Sequence, residues 1–155
     1  MKIAITKRQN RNRLVCTRAD GTYSISDLGA KLPHHDLAHV IVETELRMRE
    51  GFFGNIARGY SFEQLAEKEI IKTLGVETWA AEILAGALGS LEAGACTLEQ
   101  FPTFVNSAMA RFDYDSAQTP TSTVAAHMLG EFRALFARWS ALGEGATLEL
   151  EFPTA

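Results

Sequence analysis

KIAITKRQNRNRLVCTRADGTYSIS, residues 2–26, decides the fold class. Ile3 and Ile5 alternate with Lys2, Ala4 and Thr6, and the run Leu14, Val15, Cys16, Thr17 is apolar and β-branched. Both pieces suit half-buried strands. The polar link Arg8 to Asn12 turns the chain between them. Asp20-Gly21 suits a tight hairpin turn with positive φ, and the strand after it puts Tyr23 and Ile25 on one face. At the far end TLELEF, residues 147–152, alternates Leu148, Leu150 and Phe152 with Thr147, Glu149 and Glu151, and reads as a fourth strand.

Between these strands the hydrophobic period changes from two to about 3.6, which predicts helices. The first begins after Pro33 and is expected to run to about Glu50, where Gly51 stops it. Phe52 to Tyr60 reads as a short aromatic-rich turn or helix. Ser61 and Gln64 fit a capping box, opening a helix over 61–74 that Gly75 is expected to close as a left-handed cap. Further helices are expected from Trp79 to about Gly94 and from Pro102 onward. The longest, capped at Thr119-Pro120, carries the apolar stripe Val124, Met128, Phe132, Leu135, Phe136, Trp139 and Leu142. Three strands, then helices, then a strand predict an α+β protein with a small antiparallel sheet packed against a helical layer.

The chain has 155 residues, 46% of them hydrophobic and 22% charged, with a net charge of -4. Such a composition can fill a core and excludes a disordered or collagen-like chain, and the length suits one domain over residues 1–155. The most apolar long stretch, Trp79 to Leu98, contains Glu82 and Glu92, which argues against a membrane span. No apolar run after the basic N-terminus suggests a signal peptide, so a cytoplasmic protein is expected. Cys16 and Cys96 form no CxxC pair and are expected to be reduced and buried.

Chemistry is concentrated in LPHHDLAHVIVETELRMRE, residues 32–50, where His35, Asp36 and His39 form an HDxxH pattern. Residues at i and i+4 share one helix face, so both imidazoles can point at one metal ion. Asp36 stands where HExxH metalloproteases have their general-base Glu, one methylene shorter, which argues against a peptidase of that kind. At about 100° per residue, Leu37, Val40, Ile41, Thr44 and Met48 make the expected core face. His35, His39, Val42, Glu43, Leu46 and Glu50 lie opposite, and their mixed character implies that another element covers part of that face.

His35 and Glu43 are separated by roughly 12 Å of helical rise, too far for both to bond one ion held near His39. A remaining ligand must come from elsewhere, and His127, with Glu131 one turn on, is the remote candidate. Glu43 then serves better as an acceptor for the free nitrogen of His39, fixing its tautomer. The candidate ligands are therefore His35, His39, Glu43 and His127. The ion is zinc or another divalent metal, and Asp36 is the proton acceptor for a metal-activated water in hydrolase or lyase chemistry. Ligating histidines must be neutral, so binding is expected to weaken as pH falls through about 6.5. The same residues also admit a purely structural reading. Asp36 in a first turn is favoured by the helix dipole, and the histidines then act as capping or buried neutral groups.

The segment resembles the start of a group of small bacterial proteins of uncharacterised function. In these a short β-meander leads into a Pro-His-His-Asp-Leu-x-His helix, followed by a Glu and a Gly-Phe-rich stretch. The resemblance covers Met1 to about Tyr60 and implies no activity. Locally, HDxxH is similar to the zinc motif of the ubiquinone-biosynthesis family often called Coq-four, which implies zinc. In that family a Glu follows the second His after eleven intervening residues, whereas Gly51 stands there in this chain and Glu50 falls one short.

Two further features suggest partners. Phe52, Phe53 and Tyr60 fit a homo-oligomer or protein-interaction surface, a non-catalytic alternative to the metal reading. Lys2, Lys7, Arg8, Arg11, Arg13 and Arg18 all precede the first acid, Asp20, and resemble a nucleic-acid footprint. A pI of about 5.6, the lack of an aromatic ladder, and Glu149 and Glu151 as cross-strand counter-charges argue against that partner.

Overall fold

Ile3, Ile5, Leu14 and Cys16 have no exposed surface, so the alternation of the first two strands aims one face at a core. The structure, a computed structural model, describes residues 1–29 and 33–154. Among these, β1 (Lys2–Thr6), β2 (Asn12–Thr17), β3 (Tyr23–Leu28) and β4 (Thr147–Glu151) form an antiparallel sheet in the order β3-β2-β1-β4. The last strand in sequence pairs with the first, Ile3 opposite Leu150 and Ile5 opposite Leu148. The helices are α1 (His34–Glu45), α2 (Phe52–Ala57), α3 (Phe62–Ala66), α4 (Lys68–Ile71), α5 (Val76–Glu92), α6 (Phe101–Met109) and α7 (Ser122–Ala141). The protein is thus α+β as expected. α1 packs against both α5 and α7, and one continuous core joins them to the sheet.

The face of β3 that carries Tyr23 and Ile25 points to solvent, and buried Ser24 pairs with Cys16 inside. Of the N-terminal cations, Lys7, Arg13 and Arg18 are engaged with the fold. Lys7 Nζ donates to the Leu142 carbonyl at 2.8 Å beyond the end of α7 and lies 5.4 Å from the Trp139 ring centroid. Arg18 donates to the Ile56 and Tyr60 carbonyls at 2.6 and 3.0 Å, where the end of α2 favours positive charge. On the outer face Lys2 stands opposite Glu151, and Arg13 pairs with Asp27 at 3.3 Å.

Four helix boundaries differ from the sequence reading. α1 stops at Glu45, five residues before the expected Glu50, because Arg47 takes a φ of 53°. The Arg47 N–H then donates to the Thr44 carbonyl and the Met48 N–H to the Glu43 carbonyl, a Schellman closure that uses Arg where Gly is usual. The expected helix over 61–74 is broken at Glu67, which is extended at φ -83°, ψ 119°. Its Ser61–Gln64 capping box forms, but neither half contains a fully buried residue, and only Phe62 and Leu65 of the first half pack against the core. Gly75, at φ -67°, ψ 168°, caps the start of α5 rather than closing a helix, and the cap of α7 is Thr121 rather than Thr119.

Phe53 is fully buried in the chain's own core, 6.0 Å from the Phe152 ring, so it is not available to a partner. Phe52 and Tyr60 are half-buried. Among the described residues, no helix is long and apolar enough to cross a membrane.

Candidate metal centre

Two histidines one turn apart in α1 converge as their spacing requires. Their Nε2 atoms are 3.2 Å apart. The third group comes from α5, where Glu82 places Oε2 3.2 Å from His35 Nε2 and Oε1 3.4 Å from His39 Nε2. One ligand atom from each of the three lies within 4.8 Å of the others. A tetrahedral ion with metal–nitrogen bonds of about 2.0–2.1 Å separates its ligand atoms by about 3.3–3.4 Å, which is the spacing found here. His39 is 2% exposed, whereas His35 and Glu82 are 56% and 48% exposed, so the cluster rests on the core and opens to solvent on one side.

Behind His39 stands a buried carboxylate. Glu43 Oε1 is 3.0 Å from His39 Nδ1 and accepts the Phe53 N–H at 3.2 Å, while Oε2 accepts the Gly54 N–H at 3.0 Å. These are orphan donors of the first turn of α2, whose cap residue Gly51 offers no side-chain acceptor. The helix N-terminus favours a negative carboxylate, so the shared proton belongs on Nδ1 and Nε2 is the nitrogen that faces the cluster. A Cβ on Gly51 would collide with the Glu43 carboxyl, so only glycine lets the two segments close.

The charges of the cluster depend on one another. Burial pulls the pKa of His39 down, but hydrogen bonds to Glu43 and Glu82, together with their charges, outweigh it and lift the value to about 9. Hydrogen bonds from His35 and His39 hold the Glu82 carboxyl far below the usual carboxylate range, against its partial burial. Burial raises the Asp36 pKa, and the nearby histidines oppose that rise. Burial also pushes the Cys16 thiol up to about 12, which removes the thiolate that a nucleophilic cysteine needs. Cys16 and Cys96 are both free and buried.

A cleft of about 360 Å³ adjoins the cluster and shares Glu82 with it. Its wall includes Phe52, Leu65, Leu74, Trp79 and Ile83, with Arg111 among its few polar groups. Phe52 links the two features, its ring lying 5.5 Å from that of His39.

Of the ligands expected from sequence, the structure brings His35 and His39 together and sets Glu43 behind His39 as its orienting acceptor. His127 lies elsewhere. Its Nε2 is 3.4 Å from Glu45 Oε2 at the far end of α1, roughly 15 Å of helical rise from His35. Glu131 is exposed and outside the cluster. His34 packs edge-on against Phe132 and Phe136, with ring centroids 4.7 and 5.3 Å away, and so ties α1 to α7. Glu50 pairs with Arg58 at 2.8 Å. Glu82 was missed because it lies far along the chain, although it is an isolated acid in the apolar run WAAEILAGAL and carried that signal.

No family model matches the chain, and no curated protein or solved structure matches it.

Proposed function

We propose that the protein binds one divalent metal ion, zinc or a close relative, through His35, His39 and Glu82. The observation that carries this reading is the convergence of three ligand groups from two helices while Glu43 occupies the other nitrogen of His39. Two histidines and one carboxylate are a ligand set of catalytic zinc sites and, as a facial triad, of non-haem iron sites. Either leaves a coordination position for water on the exposed side of the cluster. The water, acidified by the metal, would act as nucleophile or base in hydrolase or lyase chemistry. Asp36, whose carboxyl burial makes more basic, is the proposed proton acceptor. The buried, free cysteines are in keeping with a cytosolic setting.

Elemental analysis of tag-free protein after zinc loading and desalting tests the site. About one equivalent is expected in the wild type and near none in His39→Ala. Equal, near-zero metal in both would sink the proposal.

A further inference from the structure

Two charged groups face the cleft beside the cluster, and only one of them has an ionic partner among the described residues. Glu82 is engaged by His35 and His39 at 3.2 and 3.4 Å. Arg111 has its guanidinium carbon 5.0 Å from the Phe112 ring centroid and no carboxylate partner among the described residues. The remaining polar groups are engaged within the protein. Thr78 Oγ1 donates to the Glu50 carbonyl at 2.6 Å, and Asn55 Nδ2 donates to the same oxygen at 2.7 Å.

Trp79 stacks on Phe112 at 5.4 Å and 19°, so one ring supports both the apolar wall and the cation. We infer that this cleft binds a small monocarboxylic acid with an apolar body, its carboxylate on Arg111 and its body against Phe52, Leu74 and Trp79. Arg111 is itself exposed at the cleft, and its guanidinium fork, resting on the Phe112 ring, matches a carboxylate with two parallel hydrogen bonds. A single unpaired positive charge calls for a single negative one. A phosphate dianion would add a surplus charge close to Glu82, in a chain whose net charge is already -4. The volume, about 360 Å³, is near the lower limit for ligand pockets and suits one small molecule rather than a peptide.

As the substrate class of the metal site this inference rests on the metal reading, whereas as a binding property of the cleft it does not. Isothermal titration of the full chain in EDTA with 4-phenylbutyrate, 4-phenylbutanol and 3-phenylpropyl phosphate separates the two. Saturable binding of the acid is expected, with the alcohol and the phosphate each about tenfold weaker or more. Arg111→Gln should bring the acid down to the level of the alcohol and leave the alcohol unchanged. The inference is overturned by absence of saturable acid binding, by equal acid and alcohol, by a tighter phosphate, or by an acid affinity that Arg111→Gln does not change. Metal uptake without acid binding removes the cleft alone, and acid binding without metal uptake removes the metal reading alone.

Discussion

Glu43 and Glu45, two residues apart in the last turn of α1, each meet a histidine, and the two contacts differ in almost everything except distance. His39 and Glu43 are 3.0 Å apart and 2% and 0% exposed, while His127 and Glu45 are 3.4 Å apart and 57% and 37% exposed. The buried pair is held by two backbone N–H donors behind it and by Glu82 in front. The exposed pair has water as its competitor. Residue type and separation therefore say little about chemistry, and burial with converging partners says most.

The comparison breaks most visibly at Glu43. Glu43→Ala removes the acceptor of His39 and of two N–H groups of α2, and should cost about 3–5 kcal/mol in urea unfolding. A loss below about 1 kcal/mol would mean that the buried pair is no better held than the exposed one. Next in size is the loss of a ligand: Glu82→Gln should weaken zinc affinity more than about 100-fold in competition with a chromophoric chelator, while His127→Ala leaves it unchanged. Zinc binding that is sensitive to His127 would return the third ligand to α7.

A pH series sharpens the contrast. His39 is lifted above its unfolded value near 6.5, so the stability it contributes to the metal-free protein is complete below about pH 6.5 and is lost as pH rises through about 9. Metal entry must displace this proton. Zinc affinity should therefore rise by about tenfold per pH unit up to about 9, rather than level off near 6.5 as the isolated imidazole suggests. Chelator competition between pH 6 and 9 checks this, and a plateau by about pH 7 would count against the cluster. The smallest effect belongs to the exposed pair, where His127→Ala should change unfolding stability by less than about 0.5 kcal/mol.

The sequence exposed one side of the candidate site. Spacing alone put His35 and His39 on one face of a helix, and the rise per residue set Glu43 behind His39 rather than beside His35. The mixed face of α1 implied an element covering part of it, and burial of His39, Val42 and Glu43 beside the exposed His35 shows that part to be covered. His127 was chosen as a remote ligand for its residue type alone, and type carries no distance.

Local physics in the sequence determined the strand alternation, the Asp20-Gly21 hairpin, the Ser61–Gln64 capping box and the register of the two histidines. Each of these depends on residues a few positions apart. Only the tertiary structure decided that α1 ends at Glu45, that Glu43 caps the start of α2, and that α5 lays Glu82 against the two imidazoles. Those outcomes balance backbone donors, buried charge and helix packing between segments distant in sequence, and no periodicity within one segment encodes its partner.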